Sequence, residues 1–158
     1  MPMLKILYAS DFHGSTIVFR KFINAGLMYK ADVLIYGGDI SGKALVPIVE
    51  SDAGTYVFEV MGRRYEVKPS EINTHLERIE NIGYYPLIVK REERSRLEDN
   101  AYLSTVFKES MKDRLRKWIE FAKNKLKNTS IKLYLQLGND DDQELESVLR
   151  EAEDGKVV

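Results

Sequence analysis

The sequence has no cysteine, only two histidines and almost equal numbers of acidic and basic residues. The absence of cysteine excludes disulfide bonds, thiolate zinc sites and a cysteine nucleophile. Lys and Arg number 24 and Asp and Glu number 25, so the net charge of -1 provides no overall field to hold nucleic acid or an anionic membrane. We therefore expect nucleic acid to bind only as a substrate, held locally.

Long apolar runs are also missing. No run approaches the ~18 residues that a membrane span needs, which predicts a cytoplasmic protein without a membrane partner. The 158 residues, 44% of them hydrophobic, are enough to bury one core, and we expect a single domain over residues 1–158. A charged fraction of 31%, with two glutamines and no cysteine, is typical of proteins from thermophiles.

The N-terminal part of the sequence has the pattern of a βαβ unit. Residues 4–9 and 32–36 are short runs of strand-favouring residues, and each ends in a polar loop. Between them, apolar residues recur at helical spacing over residues 16–29, with Ser15 as the predicted N-cap. This pattern predicts an α/β fold in which two parallel strands are joined by a right-handed crossover.

Later in the chain the pattern is less regular. We predict a hairpin of residues 55–61 and 63–68, a helix at 70–81 capped by Ser70, a strand at 84–90, a long helix at 104–128, a strand at 131–137 and a helix at 143–152. The last residues, 155–158, resemble a turn followed by the start of another strand.

Polar residues follow three of the predicted strands: Asp11 and His13, then Asp39, then Asn139 and Asp140. Because the carboxyl ends of parallel strands meet at one edge of a sheet, we expect these groups to converge on one crevice. Asp11 and His13 are separated by one residue, so in an extended segment both side chains lie on the same side and can bind one cation. Asp39 can bridge two cations through its two oxygens, and Asn139 offers a neutral carbonyl oxygen to a hard divalent ion.

The order D-x-H, GGD and GND-D resembles the N-terminal half of the calcineurin-like metallophosphoesterases over residues 4–44 and 131–145. The resemblance implies a parallel-rich sheet with flanking helices and an α/β insertion at residues 45–130 that influences substrate choice. It implies hydrolysis of a phosphomonoester or phosphodiester by a water activated between two divalent ions. The oxygen-rich ligand set favours Mn²⁺, with Fe, Zn²⁺ or Mg²⁺ as alternatives.

Carried over residue by residue, the resemblance implies that Asp11 and His13 bind the first ion and that Asp39 bridges both ions. Asn139 would bind the second ion and belong to the catalytic group. Family members commonly have a His after this Asn, which assists protonation of the leaving group. This chain has Asp140 there, which can take that role only if its pKa is raised.

The later histidines that complete the family's site, in particular a G-H-x-H segment, are absent, and the second histidine of the chain, His75, lies in the insertion. We therefore expect the chain to be the N-terminal part of a longer or split enzyme, which requires a missing C-terminal half or a complementing chain. A non-catalytic metal- or phosphate-binding module is one alternative. A doubly wound nucleotide-binding domain is another, although no G-x-G-x-x-G or P-loop motif is present.

Overall fold

The structure, a computed structural model, describes residues 3–157 of the chain. These residues form two β-sheets and the helices that pack on them. In chain order the elements are β1 (Ile6–Ala9), α1 (Thr16–Met28), β2 (Val33–Tyr36), β3 (Leu45–Glu50), β4 (Tyr56–Val60), β5 (Arg63–Val67), α2 (Ile72–Asn81), β6 (Tyr85–Val89), a 3-10 helix (Arg91–Glu98), α3 (Asn100–Leu126), β7 (Lys132–Leu135) and α4 (Leu145–Ala152). The chain therefore belongs to the α/β class, as the sequence predicts.

The first sheet is parallel throughout and has the strand order β1-β2-β7. β1, α1 and β2 form the predicted βαβ unit, and the Ser15 hydroxyl accepts a hydrogen bond from the Val18 amide as the predicted N-cap. Val157 forms a parallel bridge with Leu133, which agrees with the strand start predicted there. The last residue of that prediction, Val158, lies outside the described residues. All three strand ends meet at one edge of the sheet.

Helices bury one face of this sheet. Leu34, Tyr36 and Leu133 are fully buried and belong to one hydrophobic cluster with residues of α1, α3 and α4. Phe19 of α1 stacks on Trp118 of α3, with ring centroids 4.6 Å apart. The apolar stripe predicted on the long helix is therefore part of the core of the first sheet.

The other face of the first sheet is exposed. Side chains alternate between the two faces along a strand, which places Ile6 and Tyr8 of β1, Val33 and Ile35 of β2 and Tyr134 of β7 on this face. Ile6 is 54% exposed and Tyr8 is 61% exposed. Lys132 of β7 also lies on this face, beside Val33, and the five apolar residues are named the open face. An apolar surface of this kind is typical of a contact surface.

The second sheet has the order β5-β4-β3-β6 and is antiparallel except between β3 and β6. α2 packs on it around Ile48, Phe58 and Ile79. The predicted hairpin is confirmed as β4 and β5, and the predicted strand at 84–90 is confirmed as β6. The sequence did not predict β3, which contains Pro47. This proline is tolerated because it lies outside the part of β3 that pairs with β4.

Several helix starts differ from the prediction. Ser70 does not cap α2, which begins at Ile72 after Glu71 without a side-chain cap. α3 begins at Asn100, four residues before its predicted start, because the Asp99 carboxylate accepts hydrogen bonds from two amides of the first turn. α4 begins two residues after its predicted start, and the 3-10 helix was not predicted.

The segment predicted as an insertion, residues 45–130, contains two parts. The part up to the 3-10 helix contains the second sheet and α2, whereas α3 packs in the core of the first sheet. Neither α3, with its 27 residues, nor any other helix in residues 3–157 has the combined length and apolar character needed to cross a membrane.

Backbone contacts join the second sheet to the strand ends of the first. A Cβ atom at Gly14, after β1, would lie 2.6 Å from the carbonyl oxygen of Gly83, before β6, and 2.7 Å from the amide nitrogen of Gly42, after β2. Only glycine permits such a close approach. The Tyr85 hydroxyl also accepts a hydrogen bond of 3.0 Å from the Gly42 amide. β6 is therefore tied directly to the loop after β2.

An ion-pair cluster links the start of α4 to α3. The Glu144 carboxylate accepts hydrogen bonds from Lys108 at 2.7 Å and pairs with Lys112 at 2.8 Å. These two ammonium groups lower the pKa of Glu144 to about 2 from its ordinary value of 4.5. A carboxylate with a lowered folded-state pKa stabilises the fold above pH 4.5 and loses that contribution as the pH falls toward 2.

We predict that Glu144→Gln reduces the loss of stability between pH 4.5 and pH 2, because the variant has no carboxylate to protonate in that window. The measurement is the thermal midpoint at a series of pH values. Glu120→Gln is the control, since Glu120 forms no ion pair among residues 3–157. Identical acid profiles for wild type and Glu144→Gln would contradict the prediction.

Candidate metal site

The loops after β1 and β2 bring together three of the predicted ligands. One ligand atom from each of Asp11, His13 and Asp39 lies within 4.8 Å of the other two. The Nε2 atom of His13 lies 3.8 Å from Oδ1 of Asp11. Two carboxylates and an imidazole at these separations could hold a metal ion.

All three residues have a left-handed backbone conformation, with φ of 62° at Asp11, 44° at His13 and 57° at Asp39. Within residues 3–157, only Lys30 and Met61 are other non-glycine residues with positive φ. Such conformations cost on the order of 1–3 kcal/mol each and cluster at functional sites. The surrounding contacts must therefore impose this geometry.

A backbone ladder between the two loops supplies part of that constraint. Three amides of the loop after β1 donate hydrogen bonds to three carbonyls of the loop after β2: Asp11 to Gly38 (3.0 Å), His13 to Asp39 (3.0 Å) and Gly14 to Ile40 (2.8 Å). The ladder continues the pairing of β1 with β2 beyond the strand ends. It fixes the backbone from which the three candidate ligands project.

The hydroxyl of Tyr36 lies between the same two loops. It donates a hydrogen bond to the carbonyl oxygen of Asp39 and accepts one from the amide of Phe12, both at 2.9 Å. Burial raises the pKa of Tyr36, and nearby carboxylates add to this effect. The phenol therefore stays protonated and keeps its role as a donor.

The third loop, after β7, contacts Asp39 from the other side. The Asp140 amide donates to Oδ1 of Asp39 at 3.2 Å. A Cβ atom at Gly138 would overlap Oδ1 of Asp39, so a glycine is required where this loop passes the carboxylate. This packing holds the Asp39 carboxylate in place.

Asp141 joins the third loop to the second, a role that the sequence analysis did not assign. Its Oδ2 accepts hydrogen bonds from the amides of Ile40 (3.0 Å) and Gly138 (2.8 Å). Its Oδ1 accepts from the Ser41 amide (2.8 Å) and the Ser41 hydroxyl (2.7 Å). Burial favours a higher pKa for Asp141, but these hydrogen bonds outweigh it and lower the pKa. The carboxylate therefore stays charged and links the loops after β2 and β7 by hydrogen bonds; this link is named the Asp141 clasp.

Asn139 lies on the exposed loop between two residues that contact Asp39. Its side-chain nitrogen donates to Oδ1 of Asp140 at 3.0 Å. This bond uses the nitrogen of the amide and leaves the oxygen for a cation. The role of Asn139 as a ligand of a second ion stays a prediction.

The environment of Asp140 argues against its predicted role as the leaving-group acid. Its Oδ2 lies 2.8 Å from the Lys43 ammonium group. The hydrogen bond and charge of Lys43 lower the pKa of Asp140, whereas the acid role requires a raised pKa. The lysine could not be identified as the partner from sequence, because it lies 97 positions away.

His13 and His75 have different surroundings. The His75 ring lies in the second sheet region, 5.5 Å from the Phe58 ring and 5.6 Å from the Tyr65 ring. The Nδ1 atom of His13 is buried and has no hydrogen-bond partner among residues 3–157. The Nε2 atom of His13, not Nδ1, lies near the Asp11 carboxylate, and imidazole is a common metal ligand. Two carboxylates and this imidazole form a donor set that fits a divalent cation.

Comparisons with protein-family models, with curated proteins and with solved structures found no match to this chain. The function must therefore be argued from the residues of the site. The geometry establishes a group of two carboxylates and one imidazole that could hold a metal ion.

We predict that Tyr36→Phe destabilises the fold by about 1–3 kcal/mol, because it leaves the buried Phe12 amide without its partner and removes one of the two donors to the Asp39 carbonyl. The variant should also bind Mn²⁺ more weakly, since both loops lose a constraint. Urea unfolding and calorimetric titration measure the two effects. Tyr134→Phe, on the open face, is the control and should change neither. Full stability in Tyr36→Phe would show that the hydroxyl does not hold the loops.

Proposed function

We propose that this chain carries metal-binding loops of a hydrolase that cleaves phosphomonoesters or phosphodiesters with a metal-activated water. The observation that carries the proposal is the convergence of Asp11, His13 and Asp39 at the carboxyl ends of β1 and β2. Ligands of open α/β sheets bind at this edge. The motif order D-x-H, GGD and GND supports the choice of phosphate-ester chemistry.

In the proposed site, Asp11, His13 and Asp39 would hold one divalent ion, and Asp39 and Asn139 would hold a second. Two such ions, when bound, supply a water of lowered pKa and neutralise phosphoryl charge. The Asp140 amide orients the Asp39 carboxylate through the hydrogen bond to Oδ1. Mn²⁺ is the proposed ion because the donors are mostly oxygens, with Fe, Zn²⁺ or Mg²⁺ as alternatives.

A cleft of about 460 Å³ lies beside the site, between the loop after β2, the first half of α3 and the loop after β7. Its charged lining consists of two lysines and three aspartates, and both lysines are paired with carboxylates: Lys43, Lys108, Asp140, Asp141 and Asp142. The cleft by itself therefore offers no surplus of positive charge, and the proposed divalent ions would have to neutralise a phosphoryl group bound there. Phe107 and Met111 offer an apolar wall to the organic group of an ester.

The proposed enzyme includes a further polypeptide segment that completes the site, either a C-terminal half or a complementing chain. The four proposed ligands are few for two ions that each take about five or six. The open face supports this part of the proposal because it is apolar and lies on the sheet that carries the metal-binding loops. A segment packed there would reach the edge at which the ligands converge.

A non-catalytic metal- or phosphate-binding module is the second candidate. The pairing of Asp140 with Lys43 favours it, because the lowered pKa leaves the loop without the leaving-group acid predicted there. A protein of this kind would bind metal and phosphate without turnover.

The first test is a Mn²⁺ titration of the chain, with hydrolysis of an aryl phosphodiester measured in parallel. We expect weak binding and very slow turnover, because water would fill most coordination positions of the ions. Asp39→Asn should abolish both signals. Asp52→Asn, an exposed aspartate in the loop between β3 and β4, is the matched control and should leave both unchanged.

Each result of this test supports or contradicts one of the two candidate functions. If the chain binds Mn²⁺ without turnover, and turnover is still absent after the completing segment is added, the result supports the binding module. Robust turnover that chelator and Asp39→Asn abolish would show that the chain completes its site unaided. Mn²⁺ binding that Asp39→Asn leaves intact would overturn the proposed metal site.

A second test concerns the open face. We predict that the isolated chain self-associates or binds a hydrophobic dye through this face, and that Ile6→Thr/Tyr8→Thr weakens both without lowering the thermal midpoint. Light scattering coupled to gel filtration measures the association. Ile88→Thr, at an exposed position of β6, is the control. Equal behaviour of the double variant and the control would contradict a contact role for the open face.

A further inference from the structure

Arg114 of α3 is a buried charge that the proposed metal site does not use. It is 6% exposed, and it is the only Lys, Arg, Asp or Glu side chain in the buried class within residues 3–157. Its guanidinium donates to the carbonyl oxygens of Gly14 (2.9 Å) and Tyr84 (2.7 Å). The nearest carboxylate oxygen, on Glu80, lies 3.9 Å away. The charge is thus solvated by carbonyl dipoles without a hydrogen-bonded counter-ion, which is unusual for a buried ion.

Arg114 lines a cavity of about 270 Å³ between α1, α3 and the start of β6. Arg20 and Lys117 are two further cations at its wall. Two carboxylates also line it: Glu80, 3.9 Å from Arg114, and Asp113, which is paired with Arg116 at 3.0 Å. The cavity therefore has a surplus of positive charge. Its apolar walls are the rings of Tyr85, Trp118 and Phe121.

We propose that this cavity binds a small organic phosphate. Three cations against two carboxylates favour an anionic ligand, and guanidinium groups suit phosphate oxygens. The aromatic walls would contact the carbon part of the ligand. The volume lies below the ~300–1,000 Å³ of pockets for drug-sized ligands, so the ligand is smaller than a nucleotide. None of Asp11, His13 and Asp39 lines the cavity, which makes this site distinct from the metal group.

Binding of the ligand in the cavity would change a hydrogen bond to the loop that carries His13. Arg114 Nη1 bonds the carbonyl of Gly14, which follows His13 in the chain. A phosphate that attracts the guanidinium alters this bond. The backbone amides of Gly14 and Ser15 should therefore report occupancy of the cavity, even without metal.

The test is an NMR titration of the full chain with phenyl phosphate in the presence of EDTA at constant ionic strength. We expect saturable shifts at Gly14, Ser15 and the Trp118 indole, and none with sodium chloride. Arg20→Ala/Lys117→Ala should weaken binding at least about tenfold, the scale of a lost charge-assisted contact. Lys21→Ala, the adjacent lysine on α1, should change it less than about twofold. Arg20 and Lys117 are exposed, so this double variant tests the cavity without replacing the buried Arg114.

Asp39→Asn separates this site from the proposed metal site. Binding in EDTA should be unaffected by that substitution, whatever the outcome of the Mn²⁺ titration. Shifts centred on Lys43 and Asp140 would place the phosphate at the other cleft and overturn the proposal. Absence of saturation, equal binding to Arg20→Ala/Lys117→Ala, or equal affinity for acetate would also overturn it.

Discussion

The hydrogen bonds between the loops after β1 and β2 are the constraint on which the candidate site depends. The three-rung backbone ladder and the Tyr36 hydroxyl hold the loops in which Asp11, His13 and Asp39 have left-handed conformations, which are uncommon for residues other than glycine. The metal group is therefore a property of two loops acting together.

The third loop enters this arrangement through Asp141. One carboxylate collects four hydrogen bonds from the loops after β2 and β7, and its lowered pKa shows that the charged form is the one that the fold favours. This clasp brings Gly138 against the Asp39 carboxylate and carries Asn139 to the same edge of the sheet. A residue with no proposed ligand role thus joins the loop that carries Asn139 to the loop that carries Asp39.

The sequence could predict features whose signals are local. Helical spacing and strand-like runs identified the βαβ unit and the hairpin, and the rule that parallel strand ends share an edge predicted the approach of Asp39 to Asp11 and His13. β3 was missed although β4, one of its two partners, follows it directly, because Pro47 interrupts its run of strand-favouring residues. The Asp141 clasp joins residues 100 positions apart, and periodicity carries no information about such contacts.

The glycine contact between the two sheets has a mechanical consequence. At Gly14, Gly42 and Gly83 the backbones touch with no side-chain layer between them, and Gly83 faces the carbonyl oxygen of His13. Side chains can change rotamer to absorb small movements, whereas touching backbones transmit them. We therefore expect a displacement of the segment around Gly83, which precedes β6, to be passed to the loop that carries the imidazole of His13.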